Sequence, residues 1–130
     1  MSEAVVVDAS AFVDLLAGTA LAQPLASRLR GCMLHAPAHV DAQVLSALAR
    51  LQLAARLSER QVSIRLDRFV TVPLHRHALA PLLPGAWRRR HRLRVVDALY
   101  VELAAELGDV ALVTTDGGLA YAWPRAELIG

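Results

Sequence analysis

The fold is decided by Ala4-Val5-Val6-Val7-Asp8-Ala9-Ser10, an uncharged β-branched run that stops at a carboxylate. Apolar residues in an unbroken row predict a strand buried on both faces, as the central strand of a parallel sheet is. In open α/β sheets the ligand crevice lies outside the carboxyl ends of the strands. We therefore expect Asp8 to lie in a crevice at that edge of the sheet.

Two later segments also place a carboxylate beside an apolar run. Val95-Val96-Asp97-Ala98-Leu99-Tyr100 predicts the start of a helix, and Ala111-Leu112-Val113-Thr114-Thr115-Asp116 predicts the end of a strand. Each aspartate alone is explained as a helix cap or a turn residue. Three of them beside apolar runs favour one shared crevice, whose carboxylate oxygens would suit Mg²⁺ or Mn²⁺.

Hydrophobic periodicity predicts helices that alternate with short strands along the rest of the chain. Apolar residues at helical spacing from His39 to Leu53 predict the longest helix, and Ser58-Glu59-Arg60-Gln61 has the form of a capping box that opens another. Further helices are expected at 10–16, 21–29, 75–83, 96–107 and 117–122, and further strands at 33–37, 110–114 and 127–129. The layout predicts one three-layer α/β domain over residues 1–130, with a central, mostly parallel sheet of four to five strands and helices on both faces.

Several polar positions have local interpretations. Ser10 is expected to cap the first helix or to support an acid, and Asp41 lies in a first helical turn, where a carboxylate favours the dipole. Glu102 and Glu106 point away from Asp97 on their helix and are expected on a solvated face.

Composition indicates a protein with an ordinary apolar core and no membrane segment. Hydrophobic residues make up 55% of the chain and aromatic residues only 5%, so the core must consist mainly of Ala, Val and Leu. The single cysteine excludes an intrachain disulfide, and the first residues lack the pattern of a signal peptide. No apolar stretch approaches the roughly 20 residues that cross a bilayer. We expect a cytoplasmic protein.

All fourteen basic residues are arginine, which excludes lysine-based mechanisms and leaves cations suited to phosphate. Five of them lie in the arginine segment, defined here as Arg88, Arg89, Arg90, Arg92 and Arg94. The rest of the chain has nine basic and twelve acidic residues, so the basic excess belongs to this segment. A loop is expected from Pro84 to Arg94, directly before Asp97.

The chain resembles the PIN-domain nucleases, and within them the VapC-type toxins of bacterial toxin–antitoxin pairs. The resemblance covers nearly the whole chain and rests on four segments in order: 5–11, 36–48, 93–100 and 112–116. It implies an endoribonuclease that uses Mg²⁺, with Mn²⁺ as a substitute, cuts a structured RNA such as tRNA or rRNA, forms homodimers and is inhibited by a VapB-like antitoxin.

The resemblance also implies a role for each candidate site residue. Asp8 and Asp97 would hold the metal, and Asp116 would support the metal or its water. The family's remaining acid, a glutamate early in the central helix, falls on Gln43 in this chain. An amide keeps the shape of a glutamate but has no charge with which to bind a cation or remove a proton from water. The chain is therefore either naturally weakened or deliberately altered at this position.

Two other functions compete with the nuclease hypothesis. A catalytically inactive module of the same fold would only bind RNA or the antitoxin, and Gln43 favours this alternative. Phosphotransfer from an aspartate is disfavoured, because such sites usually use a lysine that this chain lacks. The arginine segment would contact either RNA phosphates or an acidic part of the antitoxin, unless it is a solvated loop.

The histidines give no clear metal signature in the sequence. His35 and His39 are four residues apart, but Pro37 between them prevents a regular helix, so zinc is not expected there. His75 and His77 have no acidic or cysteine residue nearby in the sequence.

Overall fold

The computed structural model describes residues 2–130 as five strands, seven α-helices and a short 3₁₀ turn at Ala80–Leu82. The strands are β1 (Ala4–Val7), β2 (Met33–Pro37), β3 (Leu74–His77), β4 (Ala111–Thr114) and β5 (Ala126–Leu128). The helices are α1 (Ala9–Ala17), α2 (Ala22–Leu29), α3 (Val40–Leu53), α4 (Glu59–Val70), α5 (Leu83–Arg88), α6 (Val95–Glu106) and α7 (Gly117–Tyr121).

The strands form one sheet in the order β3-β2-β1-β4-β5, and every neighbouring pair is parallel. The central position of β1 confirms the prediction from its unbroken apolar run, since Val5, Val6 and Val7 are fully buried. From β1 the chain first builds β2 and β3 on one side and then returns to build β4 and β5 on the other. The strand order therefore reverses between β1 and β4, where open α/β sheets place their crevice.

The helices pack around this sheet in two groups. Helix α1 contacts α2, α3 and α4, whereas α6 contacts α5 and the strands β1, β2 and β4. The buried core between them is rich in Ala, Val and Leu, with Phe12 and Tyr100 as its largest side chains. Within the part of the chain that the structure describes, no single helix is long and apolar enough to cross a membrane; α1 and α2 reach that length only jointly, with a bend of 118° between them.

The helix expected at residues 75–83 is wrong in its first half, because Leu74–His77 forms strand β3. These four residues pair in parallel with β2, which satisfies their backbone groups in a ladder. Leu74 is the only apolar residue of the four, so no apolar–polar alternation indicated a strand here. Only the 3₁₀ turn at Ala80–Leu82 and the start of α5 remain of the predicted helix.

The loop expected from Pro84 to Arg94 is wrong in its first half, because Pro84 and Gly85 lie inside α5, which ends at Arg88; residues 89–94 form no helix or strand. Proline is tolerated in a first turn, where its missing N–H has no partner to lose. A Cβ on Gly85 would overlap the carboxylate of Glu102 on α6, so a larger residue here would displace that side chain. Glu102 is therefore not on a solvated face as predicted: it is largely buried and pairs with Arg89 at 3.0 Å.

Candidate active site

A cavity of about 550 Å³ opens at the carboxyl edge of the sheet, and we call it the carboxylate cavity. Asp8 enters it directly after β1, and Asp116 lies near the end of β4, on the two strands that flank the reversal of strand order. Asp97 comes from the first turn of α6 and Gln43 from the first turn of α3. The structure thus brings together all four residues singled out in the sequence; their chemical roles stay predictions.

Asp8 is held by hydrogen bonds from three directions. The hydroxyl of Thr114 donates to Asp8 Oδ2 at 2.6 Å, and Ser10 Oγ donates to the same carboxylate at 2.7 Å. The backbone N–H of Ala11 donates to Asp8 Oδ1 at 3.0 Å, so Asp8 is the N-cap of α1. Ser10 does not cap this helix, because α1 begins at Ala9 and Ser10 lies inside its first turn. The alternative expectation, that Ser10 supports an acid, is confirmed by its hydrogen bond to Asp8.

The environment of Asp8 opposes its negative charge. The side chain is only 4% exposed, and burial raises the pKa of Asp8 above its ordinary value. The hydrogen bonds from Thr114, Ala11 and Ser10 partly offset this rise, and the nearby charge of Asp116 adds to it. A carboxylate buried beside another carboxylate is stabilised when a cation is bound, so the electrostatics of the cavity favour a positive ion.

The other two aspartates already have partners. Asp97 Oδ2 accepts from Arg94 Nε at 3.2 Å, and Asp116 Oδ1 accepts from the N–H of Gly118 at 2.9 Å, which caps α7. Among residues 2–130 no three His, Cys, Asp or Glu side chains form a ready set of metal ligands. The cavity has the oxygen donors that a hard cation needs, but at least the Arg94 contact must yield for Asp97 to offer both oxygens.

Gln43 is fixed by a residue that the sequence analysis did not single out. The hydroxyl of Tyr100 donates to Gln43 Oε1 at 2.7 Å, so the oxygen of the amide is engaged by Tyr100. The amide NH₂ is then left for the cavity. Burial raises the pKa of Tyr100 well above its ordinary value, so the hydroxyl keeps its proton.

His39 ties the two helices that carry Gln43 and Asp97. Its Nε2 donates to the backbone oxygen of Val96 at 2.8 Å, and its ring packs against Tyr100 with the centroids 5.0 Å apart. The first turn of α3 is thereby fixed to the first turn of α6. This contact joins residues 57 apart in the chain, which no local pattern predicts.

Three further polar side chains line the carboxylate cavity without having been predicted there: Asp14 of α1, and Ser46 and Arg50 of α3. Ser46 and Arg50 lie on the same face of α3 as Gln43, three and seven residues further along. That helical spacing was a usable signal, because it places the three side chains of α3 on one stripe. Arg50 brings a positive charge to the lining of the cavity.

The arginine segment does not form one surface. Only Arg94 lines the carboxylate cavity, whereas Arg88, Arg89 and Arg92 line a second cavity of about 460 Å³ with Glu102. Arg89 is fixed by its ion pair, and Arg90 lies over the ring of Trp87, 4.2 Å from its centroid. The segment therefore combines structural arginines with exposed ones, and its contact with RNA or antitoxin stays a prediction.

Comparison with known proteins places the chain among nucleases. A PIN domain model matches residues 5–122. Ribonuclease VapC3 of Mycobacterium tuberculosis is 54% identical over 129 residues, covering 98% of this chain and 93% of the relative.

Solved structures agree in fold. The crystal structure of VapC20 from Mycobacterium tuberculosis, described as a sarcin-ricin loop cleaving toxin, matches with a TM-score of 0.72 at 19% identity, covering 97% of this chain and 99% of the other. A toxin-antitoxin complex from Klebsiella pneumoniae matches with a TM-score of 0.68 at 14% identity, covering 95% of each chain. With the carboxylate cavity at the edge of a five-stranded parallel sheet, the match to the PIN domain model and the identity with Ribonuclease VapC3 show that the chain belongs to the PIN-domain family and, within it, to the VapC-type ribonucleases.

Proposed function

We propose that the carboxylate cavity is the site at which this VapC-type endoribonuclease toxin hydrolyses RNA phosphodiesters. The reaction class follows from the family. The observation that supports the location is the meeting of Asp8, Asp97 and Asp116 in one cavity at the reversal of strand order. No other cavity found within residues 2–130 combines several carboxylates with arginines at the sheet edge.

The cation of this site is proposed to be Mg²⁺, since ribonucleases of this family depend on a divalent ion. Asp8 and Asp97 would hold it and Asp116 would support it, because all-oxygen donor sets select hard cations. When bound, the ion would neutralise the charge that develops on the scissile phosphate. The buried Asp8 gains most from it, because an adjacent cation removes the cost that burial puts on its charge.

Arg94 acts first as a counter-ion and then as a phosphate ligand in this proposal. Its side chain is 77% exposed, so its ion pair with Asp97 is weakly held in water. RNA offers Arg94 a phosphate in exchange for the carboxylate, and Arg50 supplies a second cation on the wall formed by α3. Asp97 is thereby released at the moment when substrate arrives.

Gln43 would contribute a hydrogen bond rather than a charge. With its oxygen fixed by Tyr100, the amide NH₂ faces the cavity and can donate to a non-bridging oxygen of the phosphate. It cannot accept a proton from the attacking water, so that task falls to the remaining carboxylates. We therefore expect this chain to be a slower nuclease than a version with glutamate at position 43.

The partners follow from the same family. We propose a VapB-like antitoxin as the inhibitor, a structured RNA such as tRNA or rRNA as the substrate, and a homodimer as the active form. We also propose that residues 1–130 act as one PIN-like domain, because the five strands form one sheet over one buried apolar cluster.

Titration with Mn²⁺ by calorimetry tests the metal assignment. Asp8→Asn and Asp97→Asn should each weaken binding by at least tenfold, while both variants keep the wild-type circular dichroism. Asp41→Asn is the matched control, since Asp41 pairs with Arg76 and does not line the cavity. Undiminished Mn²⁺ affinity in both cavity variants would contradict the proposal.

A further inference from the structure

Three histidines meet on the half of the sheet away from the carboxylate cavity's centre, and we call them the histidine cluster: His35, His75 and His77. His35 on β2 lies directly opposite His75 on β3 in the parallel register. His77 follows two residues later and so points to the same face of the sheet. The sequence left His75 and His77 without partners because His35 comes from a neighbouring strand 40 residues away.

The rings are in direct contact. His35 Nδ1 and His77 Nε2 are 2.9 Å apart, and the rings of His35 and His75 are stacked with centroids 4.9 Å apart and planes inclined by 21°. His35 and His77 are half-buried and His75 is exposed. One proton between two imidazole nitrogens satisfies the closest pair in this arrangement.

A metal ion can replace that proton without moving the strands. Imidazole nitrogen lies about 2.0–2.1 Å from Zn²⁺, so two such ligands are about 2.9 Å apart at a right angle and about 3.3 Å apart in a tetrahedron. The observed separation of 2.9 Å falls at the lower end of this range. The pair is therefore already spaced as two ligands of one ion.

The third imidazole, that of His75, is close to the other two, but its nitrogen atoms are not yet directed at the same point. No ready set of three ligands exists among residues 2–130, because the ring of His75 is stacked on His35. His75 is exposed, so a rotation about its side-chain bonds meets little packing. Water would complete the coordination.

The surroundings select the kind of ion. Ligands that are all neutral imidazoles suit borderline cations such as Zn²⁺, Ni²⁺ or Cu²⁺ and not Mg²⁺. The cation nearest in sequence, Arg76, projects to the other face, where it pairs with Asp41 and lies over Phe69.

We infer that the histidine cluster binds a borderline divalent cation of the Zn²⁺ class through His35 and His77, with His75 as the third ligand. The ion would cross-link the edge strand β3 to its neighbour β2. This site is separate from the carboxylate cavity, does not rest on the function proposed for it, and takes a different class of metal.

Titration of the untagged protein with Zn²⁺ tests the inference, with Mg²⁺ in excess to compete for carboxylates. The wild type should bind one Zn²⁺ with an affinity at least tenfold higher than that of His77→Gln or of His35→Gln/His77→Gln. His91→Gln is the matched control, since His91 is an exposed histidine outside the cluster, and Asp97→Asn tests the carboxylate cavity. Both of these variants should bind Zn²⁺ like the wild type.

Electron paramagnetic resonance of the Cu²⁺-loaded protein reports the ligands directly. Nitrogen hyperfine structure from two or three imidazoles is expected in the wild type and in Asp97→Asn, and its loss is expected in His77→Gln. Equal Zn²⁺ affinity in the wild type and the double histidine variant would overturn the inference. So would loss of the Zn²⁺ site in Asp97→Asn with retention in His77→Gln.

Discussion

Asp8 is a carboxylate whose ionisation is opposed by the fold, and this has a measurable consequence for stability. Burial raises its pKa above the ordinary value of 3.8, so the folded chain binds the proton more tightly than the unfolded chain does. The contribution of Asp8 to the free energy of unfolding therefore falls as pH rises from about 4 through the raised pKa.

The substitution Asp8→Asn removes the loss of folding stability that rising pH causes through Asp8. The variant should be more stable than the wild type at pH 7 by roughly 1 kcal/mol, because it buries no charge while its amide still reaches the oxygens of Thr114 and Ser10. The difference should shrink towards zero as pH falls to about 4. Urea unfolding between pH 4 and 8 in EDTA measures it. A wild type more stable than Asp8→Asn at pH 7 would refute this account of the carboxylate.

Tyr100 and Gln43 are predicted to act as a coupled pair. Replacing either Tyr100 by Phe or Gln43 by Ala breaks the same hydrogen bond, so the losses of stability should not add in the double variant. The coupling should be about 1 kcal/mol, the usual net value of a buried hydrogen bond. Chemical denaturation of the four proteins gives this value, and Tyr121→Phe, at a 97% exposed tyrosine, is the control. Strict additivity would show that the hydroxyl does not hold the amide.

At the scale of elements, the arginine segment separates into arginines that hold the structure and arginines that are free for a ligand. Arg88 and Arg92 are exposed and make no ion pair within residues 2–130. Arg88→Ala/Arg92→Ala should weaken RNA binding and lower the log–log salt slope by about 1.4, since each contact to single-stranded phosphate contributes about 0.7.

The matched control for this pair is Arg56→Ala/Arg60→Ala, which removes the same charge from exposed positions near the start of α4. Filter binding of a labelled RNA at several salt concentrations gives both slopes. An unchanged slope in Arg88→Ala/Arg92→Ala would assign these side chains to the antitoxin or to solvent.

The elements that the sequence predicts well are those with a strong hydrophobic period. The unbroken run of β1, the capping box of α4 and the stripe of α3 each depend on neighbours in the chain, and all three are confirmed. Strand β3 was missed because His75, Arg76 and His77 are all polar, so its sequence lacks the apolar–polar alternation typical of a strand. Helix α5 was missed because Pro84 and Gly85 are typical of a turn, and the close approach of Gly85 to Glu102 joins residues 17 apart in the chain.

The residues of the candidate site also divide into those that the sequence predicts and those that it does not. The aspartates follow apolar runs, so their meeting in one cavity was predictable from strand ends and helix starts alone. The hydrogen bonds of Tyr100 and His39 join α3 and α6 through residues more than fifty positions apart in the chain. No local pattern in the sequence predicts them. Tyr100 is nevertheless three residues after Asp97, and that helical spacing was its one signal.

At the scale of the whole molecule, we predict that two copies associate. Large apolar side chains, among them Leu53, Val70 and Tyr121, are exposed in the isolated chain and are available for an interface between copies. Sedimentation equilibrium of the toxin alone should give twice the chain mass of 14.0 kDa. A mass of one chain at micromolar concentration would contradict the proposed homodimer.

The central claim is that the carboxylate cavity performs the hydrolysis and that Gln43 limits it. Cleavage of total cellular RNA at matched Mg²⁺ tests both parts, using the chain as it stands, Gln43→Glu, and Asp97→Asn as the blank. Glutamate would keep the contact to Tyr100 and add a carboxylate that can take a proton from water, which is typically worth about 10²–10⁴ in rate. We predict cleavage in the order Gln43→Glu, wild type, Asp97→Asn. If Gln43→Glu cleaves no faster than the wild type, and the wild type no faster than Asp97→Asn, the cavity is not the hydrolytic site.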